Sequence, residues 1–155
     1  MPVHVIRRSR SRGISSTQVT ADAHRLLDLL GESHAELTVS LVDDAEIQRL
    51  NGEYRGKDQP TDVLAFALRE GARVPGDEAL LGDVVISLHT AASQARQRRV
   101  AVAVEVRTLL IHGLLHLLGY DHERAPAEAR RMKAKERELS AFLAGAGKQE
   151  TGKRK

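Results

Sequence analysis

Residues 106–122 read VRTLLIHGLLHLLGYDH. From Val106 to Leu118 this stretch is apolar on nearly every side of a helix, interrupted by Arg107, Thr108 and two histidines. A helix with so little polar surface has to be enclosed by other elements. Gly119 can take a positive φ and so stops it, which predicts a helix over about 101–118. Toward the N-terminus, a helix is predicted over 89–98 and a strand of the buried type over Leu80–Leu88 (LLGDVVISL). Before it come a Gly/Pro-containing turn at 69–79, an apolar strand at Thr61–Leu68 and a polar loop at 51–60 (NGEYRGKDQP). Asp43 and Asp44 cap a short helix running through Leu50. Leu37, Val39 and Leu41 alternate with polar residues in a strand over Glu36–Val42. Val19, Ala23, Leu26, Leu27 and Leu30 form the apolar face of a helix over Thr17–Leu30, with Gly31 as its stop, and Pro2–Arg7 reads as a strand. Beyond the buried helix, Ala125–Leu143 is a charged helix with Pro126 near its first position. The order of elements predicts an α+β (mixed α/β) fold, a small, roughly four-stranded sheet packed against helices. Residues 1–147 form one domain in this reading, and 148–155 a disordered basic tail.

At 155 residues, 41% hydrophobic and 29% charged, the chain can bury a core of its own as a single domain. The absence of cysteine excludes disulfide frameworks, thiolate zinc sites and cysteine nucleophiles, and is compatible with the cytosol. Aromatics are 3% with no Trp, which argues against a base-stacking platform of the RNA-recognition-motif kind. Apolar runs are too short for a membrane span. The Arg/Ser-rich start lacks the apolar segment of a secretory signal, and Val3 and Val5 alternate as in a strand rather than a transit peptide. Net charge is +3 and unevenly spread: residues 1–12 carry +4, residues 13–94 carry −8, and residues 95–155 carry +7. A basic excess at both ends suits a polyanionic partner, or is a solvated helix face and a frayed tail.

His112 and His116 are four apart on one helical face, and His122 follows the turn at Gly119. Three imidazoles then converge with a fourth position open, as in a catalytic zinc site. An all-nitrogen set suits Zn, Ni, Cu or Co, and zinc is expected because no redox ligand is evident. The competing reading is ordinary core histidines bonded to backbone. Three of the seven histidines within eleven residues favour the metal, and His4, His24, His34 and His89 read as structural or surface residues. The spacing matches the extended zinc-protease signature, a zincin-like site on a buried helix, except that Gly113 stands where the proteases carry their Glu base. Glu105 lies on the same helical face but about 10 Å from His112 by helix rise, so a buried cap or ion pair is expected of it.

The string from His112 to His122 closely resembles the hallmark of the YbeY endoribonuclease family of bacterial rRNA maturation factors. Two further stretches agree: Leu50-Asn51, Tyr54-Arg55, Asp58 and Pro60-Thr61-Asp62-Val63-Leu64, then Leu81 to Ser87. The resemblance runs in order over residues 36–138, about two thirds of the chain, and departs at Ala65, where the family usually has Ser. It implies a single-domain zinc hydrolase that makes a metal-dependent cut in single-stranded RNA. It further implies work in 16S rRNA 3′-end maturation and ribosome quality control, in the cytoplasm, with rRNA and the ribosome as partners and no membrane. His112, His116 and His122 would bind one Zn2+, and Arg55 would be functional.

The residue types suit that chemistry. Zinc can bring the pKa of water to about 7, so that zinc-activated water attacks a phosphodiester. Arg55 offers a forked guanidinium to phosphate, and Gly56 permits close approach; the alternative is a surface ion pair with Asp58 or Glu53. Asp121 either orients an imidazole or caps the turn, while Asp62 and Asp83 are expected to make structural hydrogen bonds. The N-terminal arginines, Arg96, Arg98, Arg99 and the basic run at 130–137 are candidate phosphate contacts. Two other readings stay open: a zinc metallopeptidase lacking the usual Glu, and a non-catalytic ribosome-associated zinc protein.

Overall fold

A computed structural model describes residues 3–9, 13–68, 80–120 and 125–153, with side chains as far as 145. The elements in order are β1 (Val3–Arg7), α1 (Ser16–Leu29), β2 (Glu36–Val42), α2 (Asp44–Arg55), β3 (Val63–Ala67), β4 (Leu80–Ser87), α3 (Leu88–Arg98), α4 (Val102–Leu117) and α5 (Pro126–Lys153). The four strands form one mixed sheet in the order β1-β2-β4-β3. β1, β2 and β4 are parallel, while β3 runs antiparallel to β4 at the edge. The expected α+β architecture is the one observed.

The pleat divides the core in two. Leu37, Val39 and Leu41 of β2 and Val84 and Ile86 of β4 face one side and pack with the apolar faces of α1, α4 and α5. Val42, Leu64 and Val85 face the other and pack with Ile47, Leu50 and Phe66 under α2. α4 is the centre of the larger cluster: Leu110, Leu114 and Leu115 are wholly buried. At Gly113 the helix lies so close to the sheet that a Cβ would come 2.8 Å from Val84 Cγ1. A part-buried ion pair, Arg107 Nε to Asp22 Oδ2 at 3.2 Å, ties α4 to α1. Ser15 and Ser87 cap α1 and α3 by accepting from Gln18 N–H and Thr90 N–H. Among the described residues no single helix is long and apolar enough to cross a membrane.

Two boundaries differ from expectation. The Asn-Gly pair at 51–52 reads as the start of a loop, yet α2 continues through Arg55. Tertiary contacts override the local signal: Asn51 is buried and its side-chain amide donates to the Gln59 carbonyl at 2.9 Å. Gly56, at φ 69°, then closes the helix, with Lys57 N–H bonded to Asn51 O and Gly56 N–H to Gly52 O. At the other end α5 runs to Lys153, past Leu143 where the last helix is expected to end. The expected turn at 69–79 lies outside the described residues.

Candidate active site

α4 carries both motif histidines on the face it turns toward β3. Gly119, at φ 96°, ends the helix as expected. His112 and His116 stand edge to face, with ring centroids 4.7 Å apart and their Nε2 atoms 3.1 Å apart. The Nδ1 of His112 meets Glu136 Oε2 of α5 at 2.7 Å. A carboxylate there accepts from Nδ1–H, which leaves the Nε2 lone pair of neutral His112 directed at His116.

This pair fits a metal. Two nitrogens about 2.0–2.1 Å from one tetrahedral centre lie roughly 3.4 Å apart, close to the observed separation. The carboxylate behind one imidazole is the usual outer partner of a histidine ligand. The third expected ligand, His122, lies outside the described residues, as does Asp121. Among the described residues no group of three His, Cys, Asp or Glu converges as a metal site.

The histidines open into a cleft of about 610 Å³ between α4, β3 and the segment after α2. Arg55 and Lys57, from the end of α2 and its cap, line it together with His112 and His116. Arg55 is the last residue of α2 rather than part of a loop, and its Nη2 donates to the Ala65 carbonyl at 3.4 Å. In the β3–β4 register Ala65 is a pair whose backbone groups point away from β4, so this carbonyl belongs to the free edge of the sheet. The structure therefore brings Arg55 to the same cleft as the two histidines. Neither proposed surface partner of Arg55 is engaged with it: Glu53 pairs with Arg49, and Asp58 accepts from Gln48.

Other expected residues fall into structural positions. Asp62 accepts from Val63 N–H and from Gln94 Nε2, and so ties the start of β3 to α3. Asp83 departs from the structural hydrogen bond expected of it: it sits on the α2 side of β4 opposite Phe66, where burial raises its carboxyl above the ordinary value, and among the described residues it has no hydrogen-bond partner. Glu105 is buried beside Arg98, Oε1 to Nη1 at 3.6 Å, which matches the expected ion pair. Its position also places Arg98 near the start of α4, roughly 16 Å along the helix from His116. Arg96, Arg98 and Arg99 do not line the cleft. Arg8 pairs with Glu46, and Arg7 donates to the backbone at Ser9 and Ile14. His4 and His89 pair with Glu36 and Asp44 at the surface.

Sequence reasoning missed Glu136 and Lys57. Glu136 lies inside the basic run at 130–137. Its signal is different: Met132, Leu139 and Leu143 form the buried stripe of α5, and Glu136 falls in register with them. A carboxylate in an apolar stripe requires a partner.

Gly113 explains the departure from the protease pattern. Its Cα faces Val84 and Val63, so a side chain there would be driven into the sheet. A glutamate base at this position has no room.

Fold and site together define a small α+β domain with paired histidines on a buried helix, sharing an open cleft with Arg55 and Lys57. The endoribonuclease YbeY family model matches residues 5–144. An endoribonuclease YbeY from an Anaeromyxobacter species is 57% identical over 128 residues, covering 81% of this chain and 65% of the relative's own length. One from Geobacter metallireducens is 45% identical over 144 residues, covering 92% and 96%. The solution structure of TM1509 from Thermotoga maritima superposes with a TM-score of 0.65 at 25% identity, covering 96% of this chain and 93% of that one. The chain belongs to the endoribonuclease YbeY family.

Proposed function

We propose that this protein is a zinc-dependent endoribonuclease that cuts single-stranded RNA within the cleft, acting on the 3′ end of 16S rRNA in the cytoplasm and in contact with the ribosome. The observation that carries this reading is the pair of Nε2 atoms 3.1 Å apart in one cleft with Arg55 and Lys57. The endoribonuclease names of the relatives support the RNA substrate.

His112, His116 and His122 would hold the zinc, with Glu136 behind His112. When bound, zinc supplies Lewis acidity toward a phosphoryl group and acidifies water. The chain's own residues do the rest. Arg55 presents its guanidinium where charge builds on the phosphodiester, and its bond to the Ala65 carbonyl holds that guanidinium at the rim. Lys57 adds a second cation beside it. Glu136 keeps the Nδ1 proton of His112 and so holds its Nε2 lone pair toward the cleft.

The test is metal content of the purified protein together with cleavage of a defined fragment from the 3′ end of 16S rRNA, against a casein control. One zinc per chain and RNA cleavage lost on metal removal support the reading. RNA left intact by zinc-loaded protein would refute it.

A further inference from the structure

The chain has two Tyr, two Phe and no Trp. Two of these four rings, Tyr54 and Phe66, meet edge to face, with centroids 5.3 Å apart and planes at 66°. Phe66 is half-buried against the cluster beneath α2. Tyr54, in the last turn of α2, remains 65% exposed. A ring that served the core alone would be turned inward, yet this one stands in water on a fixed support. Its nearest acid in the chain, Glu53, is engaged by Arg49 at 2.9 Å. Its neighbours toward the cleft are cations: Arg55 is the next residue, and Lys57 follows the helix cap.

The strand fixes the spacing. Arg55 bonds to Ala65 O at the free edge of β3, and Tyr54 rests on Phe66, the next residue along the same strand. The guanidinium and the aromatic pair therefore engage neighbouring residues of β3, the first at its free edge and the second on the face turned toward α2. A single strand leaving the cleft over this edge meets a phosphate partner and then an aromatic face in succession. We propose that Tyr54, backed by Phe66, is a base-stacking subsite for a nucleotide flanking the phosphodiester held in the cleft. The inference rests on the RNA reading above and adds where a base is gripped. It calls for one stacked base, not an extended aromatic platform, and it predicts tolerance of base identity because every base has a π face.

The absence of Trp makes the test direct, since emission comes from Tyr54 and Tyr120 alone. In zinc-loaded Tyr120→Phe protein, a single-stranded RNA oligonucleotide, checked on a gel to stay intact over the measurement, should quench the remaining tyrosine. In the otherwise native chain, Tyr54→Leu should weaken binding about tenfold, the lower part of the range for one stacked base, and Tyr54→Phe should stay within about twofold. An abasic oligonucleotide should bind the wild type about tenfold more weakly than its base-bearing counterpart, and Tyr54→Leu should not distinguish the two. Equal binding of both oligonucleotides by the wild type would overturn the stacking subsite while leaving RNA in the cleft. Failure of the wild type to bind either one overturns the RNA reading and the subsite with it.

Discussion

Replacing Glu136 with Gln isolates the contribution of a single charge behind His112. Gln is nearly isosteric, and its carbonyl oxygen can still accept from Nδ1–H, so the 2.7 Å contact can persist in shape. What is lost is the carboxylate that makes the imidazole a stronger donor to metal. Outer partners of this kind are worth about 10- to 100-fold in metal affinity, or roughly 1.4–2.8 kcal/mol. Both side chains keep some solvent contact, 29% for His112 and 28% for Glu136, so water screens part of the charge. The expected loss is therefore near the lower end, about tenfold for Glu136→Gln. Glu136→Leu removes the acceptor as well and should approach 100-fold. The assay is zinc competition against a chelator of known affinity, with the melting temperature of metal-free protein measured alongside. Zinc affinity within twofold of wild type in Glu136→Leu would refute the orienting role. A metal-free melting temperature that falls as far as that of the loaded protein would make the contact a structural bridge between α4 and α5 instead.

Arg55→Glu should reduce RNA cleavage strongly while costing at most about 1–2 kcal/mol of stability, because it reverses a favourable charge at a helix C-terminus and gives up one exposed hydrogen bond; a larger loss in urea unfolding would place Arg55 among the structural residues. Gly113→Ala gains about 1 kcal/mol of helix propensity but forces a Cβ to 2.8 Å from Val84, an overpacking that costs about 1–3 kcal/mol. Its net destabilisation should appear as a lower urea midpoint, and a raised midpoint would show that the helix can lift from the sheet. Asp22→Ala removes a charged hydrogen-bond partner from part-buried Arg107 and should cost about 2 kcal/mol, read as a lower melting temperature at unchanged zinc content. Burial pushes the Asp44 carboxyl up, but hydrogen bonds from Ser87 and Thr90 and the nearby His89 outweigh it, and the net value lies below the ordinary 3.8. The unfolded chain then takes up the proton first as pH falls, so the contribution is present above about pH 4 and lost below it. Asp44→Asn should flatten the acid limb of the stability–pH curve, and an unchanged limb would assign acid sensitivity elsewhere.

What the sequence makes legible follows from how local each signal is. α4 is readable because its enclosure is written in thirteen positions, from Val106 to Leu118, that are polar only at Arg107, Thr108 and the two histidines, and the i, i+4 histidines need nothing but helix geometry to become neighbours. The strands of the sheet are readable from alternation. The end of α2 is not, because Asn51-Gly52 carries a loop signal that a buried side-chain bond to Gln59 overrides. Glu136 is hidden for a related reason: its local neighbours are cations, and its meaning comes from His112, 24 residues away. Of the Arg96–Arg99 cluster, Arg98 pairs with Glu105 across the bend between α3 and α4, a long-range contact that charge along the sequence does not reveal.

The depth at which α4 lies has a kinetic consequence. Val106, Leu110, Ile111, Leu114 and Leu115 are each at most 1% exposed, so the amides around both histidines should exchange with solvent through global unfolding rather than local opening. The spacing of the two imidazoles is then set when the core forms, before any ion arrives, and the ordering entropy of that pair is already part of the folding transition. On the proposed zinc reading, uptake of the first two coordination bonds would be a bimolecular capture by a rigid bidentate clamp, with a rate proportional to metal concentration and no slow refolding phase.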